Sequence, residues 1–145
     1  MDTQFVQDLV SGVGGTVAYF AVAAVVLVVG FCVLDALTPG NLHQLVFIHH
    51  LPNAAVLAAA GQISLGIIVV SAIVHSPEAV AAGLVYTAVY AVVGLVIQAV
   101  ALVVIEVLIP GRVRDVVRDP QLRAGVVVAG VCLVVVACVN AACMS

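Results

Sequence analysis

Two carboxylates stand where carboxylates are costly. Asp35 and Glu106 each close a long apolar run in a chain of 145 residues that carries seven acidic and four basic side chains. An ionised carboxylate at the centre of a membrane helix costs roughly 2.5 to 3.5 kcal/mol, and less toward the interface. It is tolerated where a cation pairs with it, or where it handles an ion or a proton. All the basic residues, Arg112, Arg114, Arg118 and Arg123, follow Glu106 within one connection. They are the available partners, close to Glu106 in sequence and within reach of Asp35 if the chain folds back on itself. The spacing therefore predicts a structural latch of Asp35 and Glu106 with these four arginines, Arg112 and Arg114 foremost, with ion or proton handling as the alternative.

Four amides fall in or beside apolar runs, namely Asn53, Gln62, Gln98 and Asn140. In lipid such groups prefer one another to hydrocarbon, so Gln62, Gln98 and Asn140 are expected to face the bundle interior as packing glue, at roughly 1 kcal/mol each. His43, His49 and His50 crowd one connection. Imidazole binds metals and titrates near neutrality, but adjacent His49 and His50 cannot easily point at one ion, and no Cys lies near them. They read as interfacial polar residues.

Other chemistry is excluded by spacing. Cys32, Cys132, Cys138 and Cys143 form no C-x-x-C pair, and free Cys in an apolar helix behaves as a small hydrophobe. No His lies inside an apolar run, so a haem between helices has no axial pair. There is no H-E-x-x-H, P-loop, G-x-S-x-G or basic nucleic-acid surface. No metal, cofactor, catalytic residue or nucleic-acid partner is expected, and the chain is read as a non-enzyme.

The elements that position these residues follow from composition. The chain is 66% hydrophobic and 8% charged, where an ordinary soluble domain is nearer half apolar and a quarter charged. A globule this small would leave apolar patches far larger than stay monomeric in water. The uncharged stretches Thr16 to Leu34, Ala54 to Val74, Ala79 to Ile105 and Ala124 to Met144 each reach the roughly 18 residues that cross hydrocarbon as a helix. Val is abundant, but a barrel strand alternates over about ten residues and these runs are unbroken. The first run is not a secretory signal, because Asp2 and Asp8 precede it and no Lys or Arg does. The fold is all-α and membrane-spanning, with four transmembrane helices in a single domain over 1–145.

The clustered arginines mark the connection between spans three and four as cytoplasmic, so both termini are expected outside. Tyr19, Tyr86 and Tyr90 lie toward the outer ends of spans one and three, at headgroup level.

An internal repeat organises the chain. Asp35-Ala-Leu-Thr-Pro-Gly40 after span one matches Glu106-Val-Leu-Ile-Pro-Gly111 after span three, 71 residues later. Leu42, Leu45 and Val46 then correspond to Val113, Val116 and Val117, an i, i+3, i+4 pattern that predicts a short amphipathic helix on the inner interface in each copy. A unit of two spans returns the chain to its starting side, so the copies, about 13–74 and 79–144, are expected to be parallel and related by an axis along the membrane normal.

The acidic residue followed by Pro-Gly after spans one and three, with Asn53-Ala54-Ala55 opening span two, resembles the YjfL-like family of small bacterial inner-membrane proteins. The resemblance covers Val13 to Ala142 as two copies of that family's two-helix unit. It implies an inner-membrane location and a domain with no established activity. The second copy departs from the pattern, with Arg123 at the position matching Asn53.

Small-residue ladders supply the close approach that helices in lipid need: Gly83, Thr87 and Ala91 in span three, Ala54, Ala58 and Gly66 beside Gln62 in span two, and Ala137 and Ala141 in span four. Faces of this kind on three spans exceed what one bundle uses, so a homo-oligomer is expected. The reading is a self-associating structural or interaction component that contacts membrane lipids and possesses room for a further membrane or cytoplasmic protein partner. The alternative is an oligomeric channel or transporter subunit with Asp35 and Glu106 near its path.

Overall fold

A computed structural model describes residues 3–38, 42–108 and 116–144. It is all-helical there: α1 (Thr3–Leu37), α2 (Leu42–Phe47), α3 (Pro52–Val74), α4 (Val80–Leu108) and α5 (Ala124–Ala142). Four of these, all but α2, are long and apolar enough to cross a membrane. Arg112, Arg114, Val113 and the two Pro-Gly pairs, Pro39-Gly40 and Pro110-Gly111, lie outside the described residues.

The first helix corrects its expected start. The uncharged run begins at Thr16, yet α1 is helical from Thr3. Residues 3–15 carry one charge, Asp8, and no proline. The hydroxyls of Ser11 and Thr16 bond back to the carbonyls of Asp8 and Gly12 at 3.0 and 2.9 Å, so these polar side chains sit within the helix without disrupting it. At 1.5 Å per residue α1 is about 52 Å long, against hydrocarbon of about 30 Å. Gly15 faces Val80 at the start of α4, so residues 3–14 continue beyond the other helices.

Packing centres on α3. Its interface with α5 is the broadest, it also packs on α4 and α1, and α1 packs on α4. No comparable interface joins α1 to α5. Close approach is made at glycines, as lipid-solvated helices require. Leu65 of α3 seats over Gly30 of α1, and Leu34 of α1 seats over Gly61 of α3, two reciprocal contacts with no room for a Cβ. Sequence residues 30 and 34 meeting 65 and 61 make α1 and α3 antiparallel.

The core thickens toward one end, called here the arginine end. There Leu34, Leu42, Leu45, Leu57, Leu102, Val117, Val126 and Leu133 form one buried cluster. The amphipathic face expected after span one is present in α2, with Leu42 and Leu45 buried and Val46 packed beside them. That face turns onto the bundle, while Phe47 and Ile48 stay exposed. In the second half Val116 and Val117 are helical, and Val117 is buried in the same cluster.

The buried amide at the arginine end

α3 opens with Leu51 in extended backbone and Pro52 at its first position, where a missing N–H costs nothing. The next residue, Asn53, is fully buried. Its Nδ2 donates to the carbonyls of Val116 at 3.0 Å, Asp119 at 3.0 Å and Gln121 at 2.8 Å, and its Oδ1 accepts from the backbone N–H of Arg123 at 2.8 Å. One side chain thus gathers the connection between α4 and α5 against the start of α3. A buried polar network of this kind holds because its members are satisfied together.

The rest of that connection closes locally. The carboxylate of Asp119 accepts from the N–H of Gln121 at 2.9 Å across Pro120, an Asx-type turn. It also pairs with Arg123, bonded through Nε at 2.6 Å. The Gln121 N–H first, and Arg123 second, hold the Asp119 carboxyl below its ordinary range.

Of the two carboxylates, Asp35 has a described partner in the main chain. Asp35 Oδ1 accepts from the backbone N–H of His43 at 3.2 Å, tying the end of α1 to the first turn of α2. Among the described residues neither Asp35 nor Glu106 pairs with an arginine. The ion pair present there joins Arg123 to Asp119, an i, i+4 neighbour that reaches it without crossing the bundle. Arg112 and Arg114, two of the four expected partners, lie outside the described residues.

The remaining amides lie between helices. Gln98 is buried and donates from Nε2 to Leu133 O of α5 at 3.1 Å. Gln62, half-buried, donates to Leu27 O of α1 at 3.4 Å. Asn140 packs its Nδ2 against Gly94 of α4. Three buried polar atoms here have no partner: Gln98 Oε1, Asn140 Nδ2 and the hydroxyl of Thr87. Ser64 and Ser71 were not singled out in the sequence, although they lie seven residues apart in an apolar run. Ser64 bonds within α3 to Ala60 O, and Ser71 crosses to Ala141 O of α5 at 3.1 Å.

Three contacts between α3 and α5 join residues 70 apart. Asn53 meets Arg123, Ser71 meets Ala141, and a Cβ on Gly130 would lie 3.1 Å from that of Ala60. They span the interface from one end to the other, so the two helices run parallel and in register. At the opposite end Tyr19 of α1 shares a hydrogen bond with Ser76 at 3.1 Å, its ring lying over Gly83. The histidines do not converge, and no group of three or more potential metal ligands occurs among the described residues.

Comparison with known proteins agrees with a membrane chain. Two relatives are called UPF0719 transmembrane protein. That of Mycolicibacterium paratuberculosis is 42% identical over 137 residues, 94% of this chain and 91% of its own. That of Mycobacterium bovis is 46% identical over 137 residues, 94% of this chain and 90% of its own. No solved structure matches. The family model described as Domain of Unknown Function (DUF350) matches residues 8–144, and the chain belongs to that family of multi-pass membrane proteins.

Proposed function

We propose that the protein is a self-associating, non-enzymatic component of a bacterial inner membrane. In this reading it is built as two parallel two-helix copies of the YjfL-like kind, with its arginine end in the cytoplasm and both termini outside. The observation that carries self-association is the state of α1. Among its residues of described burial only Gly30 and Leu34 are buried, although the helix runs for 35 residues. Beside it lies a wholly apolar groove of about 420 Å³, walled by Ala21, Val25 and Val29 of α1 and by Ala88, Val92 and Leu95 of α4. Copies inserted in one orientation are related by rotation about the membrane normal, which lets such a face meet its own counterpart. The 70-residue register between α3 and α5 supports the parallel copies, and the four clustered arginines support the orientation.

The test is the mass of the purified particle in nanodiscs, with Val25→Trp and Val92→Trp to fill the groove. An assembly that these variants dissociate is expected. A monomer across mild detergents and nanodiscs overturns the reading.

One observation favours the alternative of an oligomeric channel or transporter subunit: the unpartnered Thr87, Gln98 and Asn140 atoms lie within the helical bundle, and intramembrane polar groups often mark permeation paths. Against it, Asn53, Gln62 and Gln98 are engaged with backbone carbonyls, and Asp35 with a backbone N–H. Ion flux into liposomes, lost in Gln98→Leu, would establish this second reading over the first.

A further inference from the structure

We infer that a pocket at the arginine end, between the α2–α3 turn and the α4–α5 connection, binds the phosphate of an anionic phospholipid. The pocket has a volume of about 480 Å³ and is lined by Gln44, Leu45, His49, Leu51 and Arg118.

Each wall is fixed by backbone. On one side the chain leaves α2 through Ile48, His49 and His50. His50 has φ 51°, a left-handed conformation uncommon for a residue with a side chain. This turn sends the chain back so that Leu51 N–H bonds to Leu45 O at 3.0 Å, and His49 N–H to Gln44 O at 3.0 Å. Gln44, Leu45, His49 and Leu51 are thereby gathered into one wall. On the other side Arg118 lies between Val116 and Asp119, whose carbonyls the buried Asn53 amide grips at 3.0 Å each. The guanidinium is carried on a short segment anchored at both ends.

Arg118 has no acidic partner among the described residues, and the nearest carboxylate in sequence, Asp119, is bound to Arg123 and to Gln121 N–H. A guanidinium with an imidazole and a carboxamide beside it suits a phosphate diester, since the planar fork gives paired N–H donors. Depth selects a lipid over a soluble anion. The pocket adjoins Pro52, where the apolar run of α3 that is long enough to cross a membrane begins, and the neighbouring Phe47 and Ile48 are each 62% exposed. Those two side chains are placed to enter acyl chains while the headgroup occupies the pocket. Basic pockets at such a depth are recurrent sites for anionic headgroups.

Native mass spectrometry of the full chain, released from nanodiscs of phosphatidylglycerol or of phosphatidylcholine, tests this. Wild type should retain phosphatidylglycerol, and Arg118→Gln with His49→Gln should retain about tenfold less, the size of one or two lost charge-assisted hydrogen bonds. Arg118→Lys, which keeps the charge without the fork, should fall between. A short-chain phosphatidylglycerol should raise the melting temperature of the wild type, and inorganic phosphate at equal concentration should not; this measurement needs no variant to fold. Equal retention by the double variant, or equal retention of phosphatidylcholine by wild type, overturns the site. Stabilisation by inorganic phosphate matching that by the lipid overturns the lipid assignment. Lipid retained per chain is read separately from the number of chains, so this outcome is independent of self-association.

Discussion

Asn53, at the start of α3, accepts a hydrogen bond at 2.8 Å from the backbone N–H of Arg123, the residue just before α5. The side chain that opens one helix thus serves the main chain that opens the other. Its amide satisfies four backbone groups in all, two N–H protons shared among three carbonyls and one oxygen accepting.

Replacing Asn53 should therefore be among the most damaging single changes in the chain. Asn53→Ala strands three carbonyls and one N–H at a buried site, with a loss of about 3 kcal/mol or more. Asn53→Asp should be at least as harmful, because a carboxylate oxygen would then face carbonyl oxygens. Reversible unfolding in one mild detergent measures both. A loss below about 1 kcal/mol for either would mean that the connection is held by its own Asp119 turn.

Glycines within the helices should separate into two classes. A Cβ on Gly94 would meet the β-branched side chain of Ile68 and lie 3.0 Å from Asn140 Nδ2, whereas one on Gly66 meets nothing within 4 Å. Gly94→Ala should destabilise by roughly 1 to 3 kcal/mol through overpacking. Gly66→Ala should stabilise by roughly 0.5 to 1 kcal/mol, as it removes backbone freedom at no steric cost. Melting temperatures of the two variants moving in the same direction would contradict the close contact at Gly94 and the open space at Gly66.

Much of this architecture was legible in the sequence for a simple reason. Lipid solvation demands uninterrupted apolar helices, so uncharged runs located four spans, and the i, i+3, i+4 pattern of Leu42, Leu45 and Val46 located α2. What the sequence could not supply was pairing. Asp35 and Glu106 stand out in the sequence as intramembrane charges; that Asp35 meets a backbone N–H eight residues on, and that Arg123 finds Asp119 by local turn geometry, does not. Asn53 could be picked out, but not its partners, because they are main-chain groups that any sequence would provide. Tyr19 over Gly83 is likewise a tertiary contact with no local signature.

Acid should loosen the α4–α5 connection. The Asp119 carboxyl titrates below its ordinary 3.8, first through Gln121 N–H and then through Arg123. A depressed carboxyl stabilises the fold fully above its unfolded value and loses that contribution as pH falls through the folded value. Proteolysis by an acid protease should cleave near Gln121 increasingly as pH drops below 3.8. Asp119→Asn should remove most of that pH dependence, and an unchanged profile would assign it to another group.

Orientation can be checked directly. With every basic residue between α4 and α5, the proposed topology places Ser145 outside. A reporter fused after Ser145 that is active only in the cytoplasm should stay silent, while one fused after Arg118 should be active. The reverse pattern would invert the chain.

Asp35 and Glu106 should differ in what they hold. Asp35 accepts from the His43 N–H, so it fixes the end of α1 to α2 and seats the buried Leu42 and Leu45 on the core. Its charge also lies favourably at the start of that short helix. Glu106, half-buried near the end of α4, makes no hydrogen bond or ion pair among the described residues. Asp35→Ala removes both oxygen and charge and should loosen α2 most. Asp35→Asn keeps an acceptor and should cost less, and Glu106→Gln should cost least. Thermal stability in one detergent at fixed pH ranks the three, and protease sensitivity of residues 42–51 shows whether α2 is the part released. Equal and negligible effects would deny Asp35 a positioning role. A loss of ion flux at unchanged stability would instead assign both carboxylates to a permeation path, since a latch and a conduit differ in which of these measurements responds.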